Sequence, residues 1–288
     1  MATTALSIVD RVRQLLGDYV QDTTQLSAAL TDTTGTTLTV ADGTVMTEGD
    51  WATVDFETME VTKVLRNTIT VRRGAKGSLA ATHLIDAPIR VNYTFPPHVI
   101  LQAVNESLAD AYPQLYKDVT DTSTVVVQNQ DLYNVPATME YLVRVEVQAY
   151  TQATKYIPFR AWDFADTQHF RLYGMLPAGL GLRLVGMARF DTLLETGSLD
   201  ATFPDANASA VGYLVWDAAG RLLMSAQATR VFSTAISTRS GYATDQPYLP
   251  MNTGQAFRKQ AADMLFDAKM KRPLRLLPDP ARMYYSRP

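Results

Sequence analysis

Apolar residues change their spacing along this chain, and those changes constrain the fold more than any single motif does. Leu6, Val9, Val12, Leu15, Leu16 and Tyr19 recur at helical intervals, with Asp10, Arg11, Arg13 and Gln14 between them. The pattern predicts an amphipathic helix whose apolar stripe needs a partner. From Thr36 onward the period shortens. TLTV, WATVDF, TMEVTKVL, TITVRR and PIRVNY are brief β-rich runs separated by ADGT, TEGD, RN and GAKGS, which predicts a small antiparallel β module with Asn67 at a hairpin tip.

The alternation continues. FPPHVILQAVNESLADAYPQLY carries an apolar stripe through Ile100, Leu101, Val104, Leu108, Ala111 and Tyr112, entered by Pro96 and Pro97 and stopped at Pro113, so a second helix is expected there. Between Val125 and Phe190 the runs are again strand-like, enough for a β-sandwich or curled sheet of about five or six strands. An Ala-rich helix is expected over 206–229, an aperiodic polar loop over 231–255 and a last helix over about 255–271. The reading is α+β: an N-terminal helix (1–22), a β module (23–95), a core helix (96–120), a β insertion (121–204), C-terminal helices with their loop (205–272) and an extended arm (273–288).

Composition narrows the classes of function. The chain has no cysteine, so disulfides, thiolate metal sites and cysteine nucleophiles are excluded. Its apolar runs fall far short of the roughly 20 residues of a membrane span, and Asp10 interrupts the first of them. Neither export nor membrane attachment is expected. A formal charge of -3 gives no general attraction to nucleic acid.

Several residues invite a chemical reading. VRRGAKGSLAATHLIDAPIRV has the glycines of a phosphate loop, but Lys76 precedes Gly77 and the chain runs on into a strand, whereas a phosphate loop places its lysine directly before Ser or Thr and feeds a helix. Gly74 and Gly77 are expected to turn the chain through positive φ. His83, His98 and His169 share no metal-binding spacing, and Ser78 beside His83 lacks a third member for a triad. Asp163, Asp166 and His169 in RAWDFADTQHF form the nearest thing to a cluster, expected in a loop packed by aromatics. Glu57 and Glu60 are expected to face solvent. No enzyme activity, metal or cofactor is predicted. The arm mixes Arg275 and Arg282 with Leu276, Leu277, Met283, Tyr284 and Tyr285 among four prolines, a composition suited to docking into a protein groove.

Two patterns carry a resemblance. Arg73, Gly74, Gly77, Ala81 and His83 stand where a β module recurrent in phage virion proteins has "V-x-RG", a small-residue turn and "A-x-H". The order helix, long helix with AVNESLADAYPQLY, β insertion, Ala-rich helix, terminal helix and extended tail resembles that of head–tail connector (adaptor, or neck) proteins of tailed bacteriophages, with the β module near the N-terminus as an elaboration. The resemblance implies a structural protein of the virion, made in the host bacterial cytoplasm and placed at the head–tail interface. It implies a ring of roughly twelve identical subunits, joined to the portal protein through the arm and to a tail-side connector, terminator or nozzle protein below. DNA would pass transiently through the lumen during genome ejection. In this reading Leu6, Val9, Val12, Leu15, Leu16 and Tyr19 pack between subunits. A tail-tip, baseplate or receptor-binding component is the alternative.

Overall fold

The computed structural model describes residues 3–17, 22–151, 154–195, 197–199, 203, 208–237 and 249–270. Among them the chain is α+β, with four α-helices and three antiparallel sheets. It divides into two compact units, one taking residues up to Asp110 together with Thr192–Phe266, the other containing Ala111–Asp191.

In the first unit, helix α1 (Ala5–Leu16) starts where the Thr4 side chain accepts a bond from the Ser7 N–H at 3.3 Å, and ends at Gly17 in the left-handed conformation, φ 67°. Ala5, Ile8, Val9 and Val12 are buried. The chain's own α2 (Pro97–Asp110) and α3 (Ala208–Ser237) pack with α1. This corrects the expectation of inter-subunit packing for two residues of the stripe: Val9 and Val12 are already out of water within the chain, each worth about 1.5–3 kcal/mol of burial. Leu6, Leu15 and Leu16 are only partly covered, and Tyr19 lies outside the described residues. Arg13, expected on the polar side, is buried with its guanidinium 3.7 Å from the centre of the Tyr93 ring.

The β module comprises β1 (Thr23–Gln25), β2 (Thr37–Thr39), β3 (Trp51–Val54), β4 (Glu57–Leu65), β5 (Thr68–Arg72) and β6 (Pro88–Val91), in the order β1-β6-β3-β4-β5-β2. Five strands match the runs read from the sequence. Arg66 and Asn67 make the β4–β5 turn, with Arg66 at φ 54°. The sheet curls until Leu26, just after β1, bridges Val40, just after β2. Inside the curl lie Leu26, Leu38, Val40, Ala52, Val54, Met59, Val61, Ile69, Val71 and Ile89.

Helix α2 is shorter than the expected 96–120. Pro113 has no N–H to continue the ladder and disfavours helical backbone at Tyr112. Residues Lys117–Asp121 instead form β7, in the second unit. There β10 (Tyr156–Phe159), β9 (Tyr141–Gln148), β13 (Leu182–Ala188) and β7 make one antiparallel sheet. Strands β11 (Trp162–Phe164), β12 (His169–Leu172) and β8 (Leu132–Asn134) make another. Both contribute to one core, in which Leu142, Val145, Leu182 and Leu184 meet Tyr133, Trp162 and Phe170. Tyr133 stacks on Phe170 with centroids 5.7 Å apart, and Trp162 meets Phe170 edge-on at 6.3 Å.

The segment expected as a loop over 231–255 is helical at both ends, because α3 continues to Ser237 and α4 (Leu249–Met270) begins before Gln255. Residues 238–248 lie outside the described residues. Serines and threonines weaken helix propensity by only tenths of a kcal/mol each, too little by themselves to end a helix. The two helices approach at glycines. A Cβ on Gly220 would lie 2.8 Å from the Gly254 carbonyl oxygen, and one on Gly254 would lie 2.9 Å from that of Gly220. Trp216 meets Phe257 edge-on at 4.9 Å beside this crossing.

Replacing Gly220 by valine is expected to force the helices apart and to destabilise the first unit by about 1–3 kcal/mol. A lowered urea midpoint for loss of helical circular dichroism measures this. Gly17→Ala, which meets no neighbour within 4 Å, should cost less, about 1 kcal/mol of backbone strain.

Candidate functional site

The strand pair β3–β4 turns through Asp55 and Phe56, with Asp55 at φ 51°, and this places Glu57 at the start of β4 with a fully buried side chain. Burying a carboxylate among apolar residues is costly unless its lone pairs are satisfied. Here they are. Arg73, just after β5, donates Nε to Glu57 Oε1 at 2.6 Å and Nη2 to Oε2 at 2.7 Å, a bidentate pair. The backbone N–H of Gly74 donates to Oε1 at 3.1 Å and that of Ala81 to Oε2 at 3.0 Å. His83 Nε2 lies 2.9 Å from Oε2, and its Nδ1 lies 2.9 Å from Asp55 Oδ2.

The residues singled out in the sequence are thus brought to one point. Gly74 at φ 60° and Gly77 at φ 84° turn the chain after β5 as expected, and a short 3₁₀ turn (Ala75–Gly77) lies between them. Arg73 also donates Nη1 to the carbonyls of Asp32 at 3.3 Å and Gly35 at 3.1 Å, tying in a distant loop. The His83 backbone exchanges two bonds of 2.9 Å with Leu30. Lys76, the residue that invited a phosphate reading, sits over the Trp51 ring at 4.2 Å. Ser78 is buried, accepting from the Thr58 N–H at 2.9 Å and facing the carbonyls of Thr58 and Ala75. That hydroxyl is committed to backbone.

Glu57 was expected to face solvent and does not, which is the main correction to the site. Periodicity alone treats a strand's first residue as exposed. The available signal was Arg73 and His83 flanking one glycine-bearing turn, because either of them calls for a counter-charge once buried. Glu60 does pair at the surface, with Arg72 across the β4–β5 ladder.

Electrostatics follow the geometry. Burial pushes the Glu57 carboxyl up, but Arg73, His83 and the two amides outweigh it and hold it at about 2. Burial pushes the His83 imidazolium down, and bonds to Asp55 and Glu57 outweigh that, so its net shift is upward. The charged forms of both are favoured. A carboxylate with five donors and an imidazole ring between two acids form a clamp, closed at Glu57 and reaching the surface at Asp55.

The Asp163, Asp166 and His169 segment is a β-hairpin rather than the expected loop. Asp166 accepts the N–H groups of Gln168 at 2.7 Å and His169 at 2.8 Å, and its carboxylate meets His169 Nδ1 at 2.7 Å. Asp163 accepts the Phe164 N–H at 2.8 Å. These contacts shape a turn. Among the described residues no group of three or more His, Asp or Glu is placed to hold a metal ion, and no helix is long and apolar enough to cross a membrane. The arm residues Arg275, Leu276, Leu277, Arg282, Met283, Tyr284 and Tyr285 lie outside the described residues.

Sequence reasoning also missed a second buried acid. Asp217 on α3 accepts Arg221 Nε at 2.6 Å, Ser107 Oγ of α2 at 2.8 Å and Arg258 Nε of α4 at 3.0 Å. Burial pushes its carboxyl up, and Arg221, Ser107 and Arg258 together bring it below the ordinary range. Burial, then the charge of Asp217, push the nearby Tyr213 hydroxyl up. These groups border a cleft of about 580 Å³ between α3 and α4, together with Asp110, Met224, Gln255, Lys259, Ala262 and Leu265. In comparisons with known proteins, no family model and no curated sequence matches this chain.

The clamp predicts an acid limit and an alkaline one. Glu57, held down at about 2 from an ordinary 4.5, contributes stability that is complete above 4.5 and is lost as pH falls toward 2, on the order of 3 kcal/mol. His83, raised above 6.5, contributes stability that is complete below 6.5 and is lost as pH rises through its higher value. Hydrogen exchange of module amides should be slowest between about 4.5 and 6.5 once corrected for intrinsic rates. Glu57→Gln leaves Arg73 buried without its counter-charge and is expected to cost about 3–5 kcal/mol, with the acid limb flattened in the same measurement.

Proposed function

We propose that the chain is a head–tail connector subunit of a tailed bacteriophage, one copy of a ring that joins the portal to the tail and passes DNA through its lumen. The observation that carries the reading is the clamp. Arg73, Gly74, Ala81 and His83, which are residues of the resemblance, all contact one buried carboxylate. The similarity to the virion β module therefore lies in residues under a shared physical constraint, beyond a loose likeness of composition.

The order of elements supports the same reading. Helices α1, α2 and α3 pack together, the β module leaves from between α1 and α2, and the chain between α2 and α3 supplies the second unit. Of the polar groups that first suggested chemistry, Ser78 is bonded to backbone, His83 to the carboxylates of Asp55 and Glu57, and Asp166 and His169 to each other across a turn. A protein whose work is assembly needs such rigid parts and contact surfaces, and this one presents Leu79, Leu84 and Ile85 on the module and Tyr150, Tyr173 and Met175 on the second unit.

In this mechanism the arm after residue 272 orders on docking, with Leu276, Leu277, Met283, Tyr284 and Tyr285 as apolar anchors and Arg275 and Arg282 setting orientation. Deleting residues 273–288 is expected to leave the folded units intact by circular dichroism and to abolish co-assembly with portal in native mass spectrometry. A truncated chain that still joins the portal overturns the role given to the arm. A full-length chain that portal never captures overturns the connector reading and favours the tail-tip alternative, in which Tyr150, Tyr173 and Met175 would face a ligand.

A further inference from the structure

The cleft between α3 and α4 has an organised lining. Tyr213, Asp217, Arg221 and Met224 come from one face of α3, and Gln255, Lys259, Ala262 and Leu265 from one face of α4. Each set repeats every three or four residues, so the two faces form a groove along the helices, about 16 Å long at 1.5 Å per residue. Its charges are unevenly paired. Arg221, Arg258 and Lys259 line it with Asp110 and Asp217. Arg221 is taken up by Asp217, Asp110 and Glu106. Arg258 reaches Asp217 with Nε alone and its side chain is 45% exposed. Lys259 makes no hydrogen bond or ion pair with any described residue. What remains is one cation beside the half-buried Met224 and the exposed Ala262, above the buried Leu265. That combination suits a carboxylate carried next to an apolar side chain. A phosphodiester backbone would find an apolar wall and two acids in the same groove.

The same unit displays a segment of that chemistry. Residues 84–86 read Leu-Ile-Asp, with Leu84 80% and Ile85 55% exposed. The Asp86 carboxylate makes no hydrogen bond or ion pair with any described residue. The segment projects from fixed ends. Before it, His83 is held by Glu57, Asp55 and the Leu30 backbone. After it, the Asp86 N–H donates to the Leu26 carbonyl at 2.9 Å and the Leu26 N–H to the Ala87 carbonyl at 3.0 Å. Exposed leucine and isoleucine cost solvation, and a rigid loop loses little entropy on binding.

We infer that the groove between α3 and α4 of one copy receives residues 84–86 of a second copy, with Leu84 and Ile85 against Met224 and Ala262 and Asp86 paired with Lys259. Knob and groove are different surfaces, so the contact is head-to-tail, and repeated it closes a ring or extends a filament. The inference rests on the ring in the connector reading and supplies a contact for it. It also gives the clamp a purpose, since Glu57 holds the base of the knob.

The test is self-association of the purified full-length chain by sedimentation velocity over a concentration series. The wild type is expected to associate, and Lys259→Glu and Asp86→Lys each to raise the dissociation constant at least about tenfold. The double variant restores opposite charges and should return to within about threefold of wild type, a recovery that no folding defect produces. A wild type that stays monomeric to about 1 mM, single variants that associate as before, or a double variant without recovery each overturns the inference. A monomeric chain that still co-assembles with portal removes this contact and leaves the connector reading. A chain that associates through this contact but is never captured by portal does the reverse.

Discussion

One buried carboxylate holds the β module together. Glu57 has no access to water, so each of its lone pairs must find a donor in the protein, and those donors come from parts of the chain far apart in sequence. Arg73 arrives from the end of β5, Gly74 and Ala81 from the turn beyond it, and His83 from just before β6. Through Arg73 the loop at Asp32 and Gly35 is drawn in as well. Loops that would otherwise be held only at their ends are fixed in the middle. The ion pair adds less to net stability than its short distances suggest, because desolvation offsets most of the attraction. Its effect is to penalise any arrangement that leaves Arg73 or Glu57 alone.

The same device recurs wherever elements distant in sequence must meet. Asp217 is buried where α2, α3 and α4 converge and takes one donor from each. In the second unit Glu146 lies buried between Arg144, on its own strand β9, and Arg183 on the neighbouring β13, with Arg183 also 4.7 Å from the Tyr156 ring. Apolar contact is non-directional and tolerates many packings of similar volume. A buried acid with counted donors tolerates few, which suits a chain that has no disulfide to set its geometry.

In the connector reading, rigidity of this kind matters at surfaces. A loop that shows leucine and isoleucine to water is a liability unless it is held in one shape and later covered. The clamp supplies the shape, and the connector reading supplies neighbours to do the covering. The close approach of α3 and α4 at Gly220 and Gly254 likewise sets the walls of the groove, because helices separated by larger side chains would shift its floor away from Asp217.

The sequence by itself determined the kinds of element and many of their positions: where the first two helices start, five of the six strands of the β module, the turn at Asn67 and the glycine turns after Arg73. These follow from spacing, propensity and backbone freedom, which act over a few residues. It also singled out Arg73, Gly74, Gly77 and His83 as belonging together. Tertiary structure decided what they surround, because burial of Glu57 depends on strands that meet from across the module. It decided too that Ile8, Val9 and Val12 of α1 are covered within the chain, that Lys117–Asp121 beyond Pro113 form strand, and that helix extends into 231–237 and 249–255. Local pattern reports which side of an element is apolar. Which neighbour covers that side, and which acid is left without water, are properties of the whole packed chain.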